Sequence, residues 1–369
     1  MNKSIYQNSI YVIMLLLTGI PFMGSCDSNR EERLKTETAA IAADAKIPLI
    51  QLEFGDGKRI ISFESSQNDT IIASANKNTI FQAASLSKPV FAYIVLRMHD
   101  SGEIDLDTPI FEYTDIDRFV NKEWVKLLTP RMVLSHKTGL PNWSVSPSSD
   151  AWPTSPIEFI FKPDSAFGYS GESFAFLQRA VEKIKGKPLQ LIAEEEVFIP
   201  FGMKLSSYGW RDEYDTIAAD GYNAAGENRG KGRHPRENSA YTLRTTAHEY
   251  SLFIRKVFIE GYGLNPKTLK LMLTPHIDAI RYHDKPLREC DTFISWGLGI
   301  GIEHNQKLGD IYYHWGDNGS FKALFIVVPK ENKYLTYFTN STFGHSIIDR
   351  LTPIYFGDIA FNLSAWINE

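Results

Sequence analysis

The sequence predicts an α+β protein in which the two ends of the chain build one antiparallel sheet, flanked by helices, with a mainly helical lobe inserted between them. Strand-like runs rich in Ile, Val, Phe and Thr gather near both ends, at 47–83 and again at 295–340. Between them, from Pro89 to about Asp278, the signals are those of helices and loops. In order, 47–54 and 58–64, split by Gly55-Asp56-Gly57, read as a hairpin. Short strands at 69–75 and 79–83 lead into an apolar helix over 90–98, ended by Gly102-Glu103. Segments 129–135, 173–185 (closed by Gly186) and 247–261 read as helices of the lobe. Strands return at 295–303, 310–315, 321–328 and 333–340, and 347–367 reads as one closing helix.

Ahead of this body stand Lys3, an apolar run at 10–20, and small residues before a cysteine in Phe22-Met23-Gly24-Ser25-Cys26. The run is short of the about 20 residues a membrane span needs but suits a secretory signal. The cysteine position resembles a bacterial lipoprotein signal, in which Cys26 is lipidated and becomes the new N-terminus; an ordinary signal peptide or an N-terminal anchor is the alternative. Either way an exported chain is expected, with lipid tying it to the periplasmic or surface face of a bacterial membrane. The expected division is a signal segment at 1–25, a charged then alanine-rich tether at 26–45, and one folded unit at 46–369 with its lobe at about 100–290. With Cys26 lipidated, Cys290 has no disulfide partner.

Composition fits a globular protein with a sizeable core, at 43% hydrophobic and 22% charged residues, and a net charge of -5 offers no electrostatic case for nucleic acid. The one basic cluster, Arg229-Gly230-Lys231-Gly232-Arg233-His234-Pro235-Arg236, reads as a solvated loop, or as a loop over a cleft that attracts an anionic group. Trp143, Trp152 and Trp315 are core by default, although Trp315 could line a pocket.

Chemistry is concentrated at Ser85-Leu86-Ser87-Lys88, where a strand passes into a helix. Positions i and i+3 share a helix face, so the Ser85 hydroxyl and the Lys88 amine can meet. A hydroxyl becomes a nucleophile when a base takes its proton, and a desolvated lysine can be that base. A second serine–lysine pair, Ser74 and Lys77, falls in a polar turn with no helix to align it, and reads as structural. Tyr169, just before a helix, can accept and return a proton if a neighbouring lysine lowers its pKa; packing at a helix entrance is the competing reading. His314-Trp315-Gly316-Asp317 ends a strand, where Gly316 would let a substrate lie against the strand edge and the Asp317 N–H can face an oxyanion. Taken alone, His314 reads as an ordinary strand-end residue.

Together these segments resemble the serine β-lactamase and penicillin-binding-protein family, in its branch of class C β-lactamases, D-Ala-D-Ala carboxypeptidases, D-aminopeptidases and related esterases. The likeness extends to Gly102-Glu103-Ile104-Asp105-Leu106-Asp107, Val133-Leu134-Ser135-His136-Lys137-Thr138-Gly139-Leu140-Pro141, Phe198-Ile199-Pro200-Phe201-Gly202-Met203 and Trp296-Gly297-Leu298-Gly299. It implies a β-lactamase/transpeptidase-like fold. Ser85 would be the nucleophile, Lys88 and Tyr169 its proton-transfer partners, and His314 and Gly316 the substrate-binding or electrostatic element. The N–H groups of Ser85 and Asp317 would form the oxyanion hole. Gly171 stands where the family's Y-x-N motif has asparagine. Lys137-Thr138-Gly139 and Tyr6-Gln7-Asn8 match family triplets out of place and carry no role.

The implied function is acyl transfer from a small-molecule or peptide substrate, as a peptidase or esterase. A class C-like β-lactamase and a penicillin-binding or scaffold protein without turnover are the alternatives. No cofactor and no metal are expected. The sequence has no H-E-x-x-H, C-x-x-C, Walker loop or G-x-S-x-G elbow.

Overall fold

The structure, a computed structural model, describes residues 24–66, 76–282 and 286–368, with side chains from residue 29 onward. The apolar run, the Cys26 side chain and the strand expected at 69–75 lie outside the described residues. Ten strands are present among them: β1 (Leu49–Gly55), β2 (Ile60–Ser66), β3 (Phe81–Gln82), β4 (Arg244–Thr245), β5 (Ile277–Asp278), β6 (Ile294–Trp296), β7 (Gly301–Asn305), β8 (Gly309–Asp317), β9 (Lys322–Val328) and β10 (Lys333–Thr339). Eight form one sheet in the order β2-β1-β10-β9-β8-β7-β6-β5, while β3 and β4 pair separately. The two ends of the chain meet one strand in from an edge, where β1 lies antiparallel to β10 with Ile50 opposite Thr339. The fold is α+β and of the expected architecture.

Side-chain alternation explains the layers. Every residue of β9 is buried. Ala323, Phe325 and Val327 join the core on the lobe side, with Val90, Phe91 and Val95 of the long helix α2 (Ser87–Asp100), whereas Leu324, Ile326 and Val328 join the core under the terminal helices. A strand buried on both faces must be apolar at both parities, as β9 is.

Two elements differ from expectation, and the segment expected as a tether packs on the body of the fold. The span 295–303 is a hairpin, with β6 antiparallel to β7 and Trp296 opposite Gly301. Gly299 turns the chain at φ +84°, and a Cβ there would lie 2.3 Å from Ala92 Cβ, so the turn seats directly on α2. The closing helix is two, Ile348–Phe356 and Asn362–Ile367, parted at Gly357, whose φ of +89° no helix can contain. The tether is a helix of the fold, α1 (Gly24–Asp44), because its alanine-rich face buries Leu34, Thr38, Ile41 and Ala42 against the terminal layer. Thr38 Oγ1 lies 2.8 Å from Tyr355 Oη. Leu34→Ala is therefore expected to cost about 2–5 kcal/mol in urea unfolding; a detached tether would show no change.

Candidate active site

Ser85 lies on the 3₁₀ turn Ala84–Leu86 between β3 and α2 (Ser87–Asp100). Ala84 has φ +48°, a conformation that costs a residue with a Cβ about 1–2 kcal/mol and must be held by its surroundings. It is held at several points. Ser87 Oγ donates to Ala84 O at 2.6 Å and accepts from Leu243 N–H at 3.0 Å, while Tyr250 Oη donates to Leu86 O at 2.9 Å. The turn therefore presents Ser85 from a rigid mount.

One helical turn on, Lys88 is buried and donates to Ser85 Oγ at 3.1 Å and to Ala240 O at 2.8 Å. Burial pushes its pKa well below the ordinary lysine value. A neutral amine keeps a lone pair, so the group beside Ser85 is a base. Ala240, from the loop before β4, escaped sequence reasoning because a backbone acceptor leaves no mark on residue type.

Tyr169 reaches the same point, with Lys88 Nζ 4.7 Å from its ring centroid. The expectation that lysine would lower its pKa is corrected: burial raises it, and the opposing pull of Ser85 is smaller. Its buried hydroxyl is close enough for Ser85 to act on it but closes no hydrogen bond of good geometry among the described residues. Such a contact can tighten when substrate binds. Tyr169 is thus a neutral phenol.

Strand β8 supplies the facing wall, with one correction. His314 is fully buried, with Nδ1 2.8 Å from Trp315 O and its ring among Tyr169, Trp296 and Trp315. Burial brings its pKa down to about 3, so it is neutral at physiological pH and gives no positive charge to a leaving group or carboxylate. At Gly316 the close approach is to the chain itself, since a Cβ would stand 2.2 Å from Ala83 O. Glycine here lets β8 press on the turn that carries Ser85. Asp317 borders the cleft, its charge compensated by an ion pair with Lys322.

Gly171 also has a local reason. A Cβ there would lie 2.3 Å from Trp143 Cζ2, so the indole occupies the space of a side chain at 171. Asn142 holds the segment by accepting the Gly171 N–H on Oδ1 at 2.9 Å. Asn142 and Trp143 line a cleft of about 340 Å³ together with Ser85, Lys88, Tyr241 and Asp317. Arg229 and His234 of the basic cluster border it too. Arg233 pairs with Asp215, and Arg236 and Lys231 face Asp150 and Asp220, whereas Arg229 has no acidic partner among the described residues. Trp315 contacts the Tyr169 ring at 5.1 Å, behind the cleft.

A serine hydrogen-bonded by a buried lysine, with a phenol beside it and strand β8 facing it, is the arrangement that the site presents. Residues 45–352 match the model of the Beta-lactamase family, and the chain belongs to that family, which includes serine hydrolases. Penicillin-binding protein 4* of Bacillus subtilis (strain 168) is 23% identical over 314 residues, covering 76% of this chain and 66% of that protein. The D-alanyl-D-alanine-carboxypeptidase/endopeptidase AmpH of Escherichia coli (strain K12) is 24% identical over 143 residues, 36% of this chain and 37% of that protein. The chain thus spans just under two thirds of the first relative and little more than a third of the second. Among solved structures, a D-stereospecific amidohydrolase from Streptomyces sp. superposes with a TM-score of 0.72 at 16% identity, over 90% of this chain and 99% of that one. A β-lactamase/D-alanine carboxypeptidase from Pseudomonas syringae gives 0.72 at 12% identity, over 90% and 100%. The fold is β-lactamase/transpeptidase-like.

Proposed function

We propose that the protein is an exported serine hydrolase that forms an acyl-enzyme on Ser85 and cleaves an amide or ester of a small or peptide substrate, such as a D-amino-acid peptide. The observation that carries this reading is the buried Lys88 amine at 3.1 Å from Ser85 Oγ. Lys88 takes the hydroxyl proton as Oγ bonds to the substrate carbonyl carbon, and the N–H groups of Ser85 and Asp317 hold the oxyanion. The proton returns through Tyr169 to the departing amine or alcohol as its bond to carbon breaks. Water then attacks the acyl ester, losing its proton to Lys88, which passes it to Ser85 Oγ as the bond from Oγ to the acyl carbon breaks.

Arg229 supports a substrate with a carboxylate, as it is the cation at the cleft without an internal counter-ion among the described residues. The apolar run before Cys26 supports export and attachment to a bacterial membrane through lipid on that cysteine; among the described residues no helix is long and apolar enough to cross a membrane. A penicillin-binding protein without turnover is the second reading, favoured by the side chain that Trp143 excludes at 171.

The test is intact-mass spectrometry after exposure to a fluorophosphonate and, separately, to a penicillin, with the adduct mapped by digestion. One adduct on the peptide bearing Ser85 is expected from each reagent. Rapid loss of the penicilloyl group would indicate a β-lactamase, and its persistence, with turnover of a D-Ala-D-Ala peptide or an ester, a peptidase or esterase. Persistence without any turnover would favour the second reading, and absence of both adducts would end the acyl-enzyme proposal.

A further inference from the structure

Beside Tyr169 lies a buried histidine that the reaction above does not use. His136 follows the short helix Pro130–Leu134, is fully buried, and has a backbone φ of +55°. Its carbonyl oxygen accepts the Gly168 N–H at 2.9 Å, and its ring Nδ1 accepts the Ser170 N–H at 3.2 Å. The residues on both sides of Tyr169 are thus bonded to one histidine. The imidazole also lies against the phenol ring, with centroids 4.3 Å apart and planes 33° from parallel.

We propose that His136 is a positioning residue, which clamps the backbone on either side of Tyr169 and supports its ring so that the phenol stays beside the Ser85–Lys88 pair. This rests on the hydrolase reading above. An Nδ1 that accepts from a backbone N–H requires the neutral tautomer with the proton on Nε2. Burial favours that neutral form. The positive φ adds a second, independent sign. Non-glycine residues in this region need their surroundings to hold them, and His136 shares the feature with Ala84, the residue before the nucleophile. The clamp ties Tyr169 to the lobe, while Ser85 is mounted between β3 and α2. His136 therefore sets the alignment of two groups that come from different parts of the chain.

The test is a double-mutant cycle on the labelling of Ser85 by a fluorophosphonate, with the maximal rate and the half-saturating concentration measured separately and melting temperature recorded for each variant. His136→Phe keeps a ring but loses the acceptor, and is expected to lower the maximal rate about 10–100-fold, with the half-saturating concentration within about twofold of wild type. His136→Asn, whose side-chain oxygen can accept near the Nδ1 position and which tolerates positive φ, is expected to recover part of that loss. In a Tyr169→Phe background either substitution should add less than about twofold, because a residue that acts through the phenol has nothing left to position. If His136→Phe does not fold, the cycle runs on His136→Asn, for which a smaller loss that vanishes in the Tyr169→Phe background is expected. Losses that multiply in the double variants, or a shifted half-saturating concentration with an unchanged maximal rate, would overturn the inference and leave the hydrolase reading standing. A wild-type protein that takes no label on Ser85 would remove the hydrolase reading itself, before any variant is compared.

Discussion

Lys88→Met is expected to slow acylation of Ser85 by about 10³-fold, inside the 10²–10⁴ range that a positioned general base contributes, and to make the folded protein more stable at neutral pH. Both effects follow from one cause. Burial holds the amine in its neutral form, well below the ordinary lysine pKa. That creates the base, and it also means that folding strips a proton from a group that keeps it in the unfolded chain up to about pH 10.4. Between the depressed folded pKa and that value, the unfolded state binds more protons than the folded one. Wild-type stability therefore rises with pH across this window. Methionine fills a similar volume without the ionisation, though it leaves the Ala240 carbonyl without its donor. The gain in stability should be largest on the acid side of the window and shrink toward about pH 10. Denaturation of both proteins at several pH values, with rapid-quench labelling, measures the two effects together. Wild-type labelling should fall as pH drops through the folded pKa and Lys88 gains its proton. A stability gap that widened with pH would mean that the buried amine is charged, and that another group activates Ser85.

Gly316→Ala should slow acylation about 100-fold and cost about 1–3 kcal/mol of stability, although it adds one methyl group and touches no catalytic side chain. The added carbon would stand 2.2 Å from Ala83 O and 3.2 Å from Ala84 Cβ. On its other side β8 is held to β9, with Gly316 opposite Ala323 in a fully buried strand. The nucleophile turn is the part left to move, and a displacement of about 1 Å at a reacting group costs roughly 10² in rate, with overpacking accounting for the lost stability. Gly102→Ala serves as the control. Gly102 has φ +78° in open space away from the cleft, so that variant should lose about 1 kcal/mol of stability through backbone strain and keep its labelling rate. Equal labelling rates in the two variants would show that β8 does not set the position of Ser85.

The Ser85–Lys88 contact was legible because their relation is local. Ser85 and Lys88 are three residues apart at a helix entrance, and helical periodicity alone puts them on one face. The strands at both ends were legible from alternation and glycine punctuation, and β9 from an unbroken apolar run. Misread elements turned on single residues. Gly299 folds an expected strand into a hairpin, and Gly357 divides an expected helix, since backbone reversals of this kind depend on a φ that glycine permits and residue type does not announce.

What residue type could not convey was the medium and the neighbours of each group. His314 reads as a polar strand-end residue, yet folding sinks it among aromatic rings and removes its charge. Tyr169 looks like a phenol that lysine would acidify, but loss of solvent outweighs that attraction. Gly171 looks like a missing amide until Trp143, 28 positions earlier in the numbering, is seen in its place. Local order along the chain sets which chemical groups are available and which face of an element they share. Their protonation, and the space around them, depend on desolvation and contacts between segments far apart in sequence. Those quantities exist only once the lobe has closed against the sheet.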